Sequence, residues 1–258
     1  MIVVKIGGST LGSHDTTIGD LVELQRQGKS MVVVHGGGKV ITDWLTRLGV
    51  SSRFVQGERV TDQATLEVVV SVLAGLVNKD IVAAVNKRGG KSVGISGVDG
   101  ALIEGRIKNP EMGYVGEVTR VNTKPLESLL KSGFLPIVAP VGINSAERPS
   151  GVPQTLNFNA DIVAGEIAAA VSAENLVFLT DVAGILDESG KLMTQLSPTE
   201  AEELLASGIV SGGMIPKIRA CLRAVSTSPA TCIIDGRQPH ALIKAIRGEE
   251  HGTLIRAK

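Results

Sequence analysis

Apolar and polar positions alternate along this chain in two rhythms. Apolar, β-rich runs occur at Ile2–Ile6, Met31–Val34, Ser92–Ile95, Leu135–Val138, Leu176–Leu179 and Thr231–Ile234, as buried parallel strands require. Between them lie segments of helical composition at Thr17–Gln27, Val40–Leu48, Thr65–Arg88, Lys124–Lys131, Ala160–Ala173, Pro198–Ser207 and Ile215–Thr227. Strands alternating with helices predict an α/β fold with a mostly parallel sheet. Glycines at 28, 49 and 133, just past the apolar period, mark three helix exits. The stretch Gly100–Val121 breaks the rhythm with short alternating pieces around Asn109-Pro110, predicting a β-hairpin insertion; Asn144–Thr155 is a polar loop. Two lobes of one compact unit are expected, with their boundary near residues 160–175.

Composition narrows the function. Lys plus Arg and Asp plus Glu both number 26, so no basic excess points to nucleic acid. Aromatics are 2% of the chain, too few for base-stacking platforms, so a bound base would sit between aliphatic side chains. Cys221 and Cys232 make neither a disulfide framework nor a zinc cluster, and read as core residues in a reducing compartment. No signal peptide and no run of about 18 or more apolar residues stands out. A soluble cytoplasmic protein without a membrane partner is expected.

Chemistry gathers where strands end. Lys5 sits in an apolar strand that runs into Gly7-Gly8: it either snorkels from an edge strand or aims a charge at an anion held by the glycine turn. His35-Gly36-Gly37-Gly38 repeats the arrangement ahead of a helix, and its glycines point to a ligand loop, whereas His35 alone suggests a structural hydrogen-bonding residue. Arg88-Gly89-Gly90-Lys91-Ser92 is no P-loop, because Val85 stands where a glycine is needed and the segment leads from helix to strand. A Gly-x-Gly-x-x-Gly after the first strand is missing, which argues against a dinucleotide enzyme. Asn157 and Asn159 precede Asp161 at a helix start. Capping explains Asn159 and Asp161 but leaves Asn157 over. Asp181 follows a buried strand and suits a ribose, a metal or an Asx turn equally. Lys217 lies early in a helix, where the macrodipole disfavours a cation unless a polyanion binds there. Two lysines, two glycine loops, amides and a carboxylate suit phosphoryl transfer, which needs positioning and charge neutralisation more than a covalent nucleophile. A carboxylate acceptor, of pKa about 4, would need no general base either.

Taken in order, Val4-Lys5-Ile6-Gly7-Gly8, His35-Gly36-Gly37-Gly38, Gly57-Glu58-Arg59-Val60-Thr61, Asn157-Phe158-Asn159-Ala160-Asp161, Thr180-Asp181-Val182-Ala183-Gly184-Ile185 and Gly213-Met214-Ile215-Pro216-Lys217 resemble the amino-acid kinase family over essentially the whole chain. The resemblance implies an open αβα sandwich, with residues 1–165 as an amino-acid-substrate lobe carrying a dimer interface and 166–258 as an ATP lobe. It implies that Lys5 and Lys217 flank the transferring phosphoryl group and that Asp161 orients both. Gly7 and Gly8 would donate to ATP phosphates. Gly37 and Gly38 would contact the acceptor, Arg59 its α-carboxylate and Asn157 its acylated amine. Asp181, Val182, Ala183, Gly184, Ile185 and Leu186, with Ile209, Val210 and Ser211, would line the nucleotide site. Magnesium would be held through ATP and water, with no protein metal site. The branch resembled most phosphorylates the side-chain carboxylate of N-acetyl-L-glutamate in arginine biosynthesis; a kinase of carrier-protein-linked aminoadipate or glutamate is the alternative. A nucleotide-binding regulatory subunit without catalysis would be expected to lack Lys5, Lys217 or Asp161, and all three are present. One departure stands beside the expected anion site: Glu58 occupies a position that is often leucine, and an outward rotamer is expected for it. Arginine-inhibited members carry an additional N-terminal helix before the first strand, so a homodimer insensitive to arginine is expected here.

Overall fold

In a computed structural model, which describes residues 1–7, 16–146, 152–249 and 252–256, the first half of the chain runs β1 (Ile2–Ile6), α1 (Thr17–Arg26), β2 (Met31–His35), α2 (Gly38–Arg47), β3 (Phe54–Val55), β4 (Glu58–Arg59), α3 (Gln63–Val70), α4 (Asn78–Lys87), β5 (Ser92–Ser96), β6 (Ile103–Ile107), β7 (Gly116–Val121) and α5 (Lys124–Lys131). It continues with β8 (Leu135–Ala139), β9 (Val141–Asn144), β10 (Thr155–Asn157), α6 (Ala160–Ala170), β11 (Asn175–Thr180), β12 (Gln195–Leu196), α7 (Pro198–Ser207), α8 (Met214–Val225), β13 (Ala230–Asp235), α9 (Ala241–Arg247) and β14 (Thr253–Ile255).

The main sheet has the order β12-β14-β13-β11-β1-β2-β8-β5. From β13 to β5 the neighbours are parallel; β14 runs antiparallel to β13 and parallel to β12. Pleat alternation divides the interior in two. Ile2, Val4 and Ile6 face one core with Leu21, Val69, Ile81 and Leu242, whereas Val3 faces the other with Val163, Ile167, Ile218 and Leu204. Helices therefore cover both faces, giving the expected αβα sandwich. β1 lies between β11 and β2, and the chain fills the β2 side before it crosses to β11. The carboxyl end of β1, with Lys5 and Gly7, thus lies at the point where strand order reverses, where open α/β sheets bind ligands.

The expected insertion is the antiparallel pair β6–β7, bulged between Glu104 and Gly105. It belongs to a second sheet of order β10-β9-β6-β7, whose β9 and β10 were not foreseen. The polar loop expected at Asn144–Thr155 lies between those two strands, with 147–151 outside the described residues. Phe158 anchors this sheet: a Cβ at Gly105, Gly116 or Gly142 would stand 2.7, 2.4 or 2.9 Å from its ring. Three side-chain-free positions therefore make room for one aromatic ring, which fixes Asn157 on one side and Asn159 on the other.

Residues 63–87 form one helix through α3, a π-helical turn at Ser71–Val77 and α4. Contrary to the sequence reading, this helix is long and apolar enough to cross a membrane by length and composition. Here Leu66, Val69, Val72, Leu73, Val77, Ile81 and Val85 are buried within the fold. Cys221 is in the core as expected, its thiol pushed up to about 12 by burial, whereas Cys232 is only half-buried.

Gly165 lets α6 and α8 approach closely, since a Cβ there would meet Cα, Cβ and O of Ala220 at 2.8 Å. The Gly165→Ala variant is expected to lose about 1–3 kcal/mol of stability, read from the urea unfolding midpoint. Activity should fall with it, because these two helices carry Asp161 and Lys217.

Candidate active site

Three charged side chains from distant parts of the chain converge at the end of β1. Lys5 Nζ lies 2.7 Å from Oδ1 of Asp161, and Lys217 Nζ lies 3.1 Å from its Oδ2. Lys5 is 7% exposed and Asp161 5%. The edge-strand reading of Lys5 therefore falls: β1 is central and its lysine is buried against a counter-charge. Asp161 occupies the first turn of α6, where Asn159 caps by accepting from the amides of Asp161 (2.8 Å) and Ile162 (3.2 Å). Burial alone would raise the Asp161 carboxyl, but the two ammonium groups outweigh it and hold it below the usual carboxylate range. One carboxylate against two lysines leaves a net positive charge, which suits an anion carrying charge of its own. Lys217, in the first turns of α8, also donates to the Gly213 carbonyl at 3.1 Å.

The constellation opens onto a cavity lined by Gly37, Gly38, Glu58, Arg59, Val115 and Asn157, among others. The expected acceptor residues are thus together with Lys5 and Asp161. Arg59 is buried and held from several sides. Its Nη1 donates to Ser52 Oγ (2.6 Å), its Nη2 to the Gly38 carbonyl and to Thr42 Oγ1 (both 2.8 Å), and its guanidinium stacks 4.6 Å from the Phe54 ring centroid. Burial lowers its pKa, yet a guanidinium stays charged at any working pH. With five N–H donors it keeps some for a carboxylate. Asn157 Nδ2 donates to Thr61 Oγ1 at 2.9 Å, and Thr61 Oγ1 in turn donates to the Arg59 carbonyl. Sequence reasoning missed Thr42, Ser52 and Phe54, because none carries chemistry of its own and only proximity to Arg59 reveals them; Thr61 stood in a quoted motif but was given no role. It also missed Lys108, whose Nζ lies 2.6 Å from Glu58 Oε1. Glu58, expected to turn outward from the anion site, is buried in the cavity wall with its carboxylate on Lys108.

Four expected residues have groups engaged or buried within the fold. The Gly7 amide donates to the Leu179 carbonyl at 3.0 Å, so the β ladder already takes the group assigned to a phosphate, and Gly8 lies outside the described residues. Ile185 has its side chain in the core, its amide on Thr253 Oγ1 (2.8 Å) and its carbonyl on the Met193 amide (2.9 Å). It supports the expected nucleotide segment from behind and presents no group to it. Val210 is likewise buried in the core, and Gly184 is buried against Thr253. Asp181, Val182, Ala183, Leu186, Ile209 and Ser211 are exposed, with Val182, Leu186 and Ile209 offering aliphatic surface. Nearby in the sheet, Asp235 (paired in register with Thr180) holds Arg237 through two 2.8 Å bonds, a pair the sequence did not suggest.

His35 is structural, as its isolation suggested. Its Nδ1 donates to the Gly36 carbonyl at 2.9 Å, and its Nε2 accepts from Asn78 Nδ2 at 3.1 Å. A carbonyl can only accept, which fixes the neutral tautomer. Burial, with Lys5 and Lys79 nearby, lowers its pKa from 6.5 to about 4. Between these values the unfolded chain binds the extra proton, so stability falls as pH drops from about 6.5 to about 4, by roughly 3 kcal/mol in all. In His35→Gln this part of the pH slope is expected to vanish, as followed by chemical denaturation across that window.

Comparisons with known proteins give the family. A model of the Amino acid kinase family matches residues 1–235. An acetylglutamate kinase of Dehalococcoides mccartyi is 49% identical over 255 residues, covering 99% of this chain and 94% of that one. Another from Cereibacter sphaeroides is 45% identical over 262 residues, with 100% and 88% covered. The crystal structure of smu.665 from Streptococcus mutans UA159 superposes with a TM-score of 0.84 at 26% identity, covering 100% of this chain and 98% of that one. A paired-lysine site at the strand-order reversal, in a chain matched by the family over most of its length, has one consistent reading: the chain belongs to the amino acid kinase family.

Proposed function

We propose that the protein transfers the γ-phosphoryl group of ATP to the side-chain carboxylate of N-acetyl-L-glutamate, giving N-acetyl-L-glutamyl phosphate in arginine biosynthesis. The observation that carries this reading is the Lys5–Asp161–Lys217 constellation opening on the cavity of Arg59 and Asn157, in a chain 49% identical to an acetylglutamate kinase. Arg59 would pair with the α-carboxylate through an N–H that its wall partners leave over, and Asn157 would meet the acetylated amine. The first-turn amides of α2, at Gly37 and Gly38, would meet the acceptor's oxygens. The side-chain carboxylate, already ionised, attacks the γ-phosphorus while the bond to the β-γ bridging oxygen breaks and ADP leaves. Lys5 and Lys217 neutralise the charge spread over the equatorial oxygens, and Asp161 keeps both ammonium groups in place without a proton transfer. Asp181, Val182, Leu186, Ile209 and Ser211 would face the nucleoside.

Among the described residues no cluster of three or more His, Cys, Asp or Glu side chains could cage a metal. Magnesium would accompany the nucleotide, neutralising its phosphates through phosphate oxygens and water. The relatives named above favour the free acetylated amino acid over a carrier-linked one. Hydroxylamine trapping tests the acceptor: N-acetyl-L-glutamate should yield an acyl hydroxamate well above L-glutamate, L-aspartate and N-acetyl-aminoadipate. No hydroxamate from any of them would refute a small-carboxylate acceptor.

Residues 1–165 are proposed to act as the acceptor lobe and 166–258 as the ATP lobe, in a cytoplasmic homodimer. An apolar face supports the dimer: Trp44, Leu48 and Leu76 are exposed and line a groove with Val50, Val68 and Val72. A patch of this kind marks an interaction surface. Leu76→Glu is expected to convert the dimer to a monomer in sedimentation velocity; an unchanged sedimentation coefficient would place the interface elsewhere.

A further inference from the structure

We propose that Lys108 is a positioning residue of the acceptor pocket. Its ammonium holds the buried Glu58 carboxylate and prevents that charge from opposing an anionic acceptor at Arg59. The inference rests on the acceptor reading above and extends it to a residue outside every motif of the chain. Glu58 and Arg59 are consecutive and line the same cavity, and both are buried. A carboxylate beside the arginine that must bind a carboxylate cancels the charge which attracts the substrate. Buried, it is poorly screened by water or salt. Lys108 corrects this from 50 residues further on, its Nζ 2.6 Å from Glu58 Oε1. It follows β6 directly, and its amide donates to the Val115 carbonyl at 2.9 Å, so the segment that supplies the counter-charge is tied to one that supplies cavity wall. With the pair formed, the wall beside Arg59 is neutral and the guanidinium acts with its full charge.

A mechanical role is the competing account, because the same contact ties β4 to the β6–β7 hairpin. Charge and mechanics separate in a two-residue cycle. Lys108→Met leaves the Glu58 charge uncompensated and should raise KM for N-acetyl-L-glutamate about ten-fold, with kcat and the KM for ATP within about two-fold. Glu58→Gln alone leaves the lysine as surplus positive charge and should lower the acceptor KM. The Glu58→Gln/Lys108→Met double variant, which has no ion pair and no stray charge, should return to within about two-fold of the wild type, and Lys108→Arg should behave as the wild type. A double variant as impaired as Lys108→Met makes the contact a mechanical tie and overturns the inference, as does an unchanged KM in Lys108→Met. If the wild type itself fails to turn over N-acetyl-L-glutamate, the acceptor reading falls and the inference falls with it.

Discussion

Lys217→Ala is expected to lower kcat about a hundred- to a thousand-fold while leaving KM for N-acetyl-L-glutamate within about two-fold. Lys217 is not among the residues lining the acceptor cavity; its ammonium sits instead between Asp161 Oδ2 and the Gly213 carbonyl, both at 3.1 Å. On the proposed reading its charge would act on the migrating phosphoryl group, where negative charge spreads in the transition state, and not on the ground-state acceptor. The fold can absorb the loss, because α8 is anchored by Ile218, Cys221 and Ala224 on its buried face and not by the lysine. Steady-state kinetics with both substrates varied separate the outcomes: a change confined to KM would make Lys217 a binding residue only.

Asp161→Asn should be costlier, because it harms stability and activity together. Removing the carboxylate charge leaves Lys5, 7% exposed, facing a second ammonium without compensation. Breaking a buried pair in this way typically costs about 3–5 kcal/mol. Activity should drop at least as far as in Lys217→Ala, since both lysines lose their common support. The acid limb provides a second signature. The Asp161 carboxyl is held below its ordinary range by its lysines, so its contribution is present above the unfolded carboxyl's pKa, about 4, and is lost as pH falls through the lower folded value. In Asp161→Asn that portion of acid destabilisation should be missing from denaturation curves, while the His35 portion at higher pH remains. Wild-type stability in Asp161→Asn would mean that the three charges do not hold one another.

The central sheet was legible because a strand buried on both faces requires a largely apolar run, and Ile2–Ile6, Met31–His35 and Leu135–Ala139 supply one. Shorter strands were not. β3 and β4 are two residues each and include a charged pair, Glu58 and Arg59, whose burial depends on Phe54, Ser52 and Lys108 and not on local pattern. β12 and β14 likewise exist through pairing with each other and with β13. The conflict of Lys217 with its helix dipole could be seen in the chain itself, whereas its resolution by a carboxylate 56 residues away was legible only through the family resemblance. Hydropathy also cannot tell a side chain facing a ligand from one facing the core. Ile185 and Val210, which the family resemblance placed in the nucleotide set, have their side chains in the core.

On the proposed reading, paired lysines held by one aspartate move a phosphoryl group onto the acetylated amino acid bound at Arg59. Phosphorus NMR of the wild-type enzyme with ATP, magnesium and N-acetyl-L-glutamate follows that transfer directly. The account predicts an acyl phosphate resonance growing in step with ADP, absent without the acceptor and suppressed in Lys217→Ala. ADP accumulating only with inorganic phosphate, or an acyl phosphate formed as fast by Lys217→Ala, would contradict it.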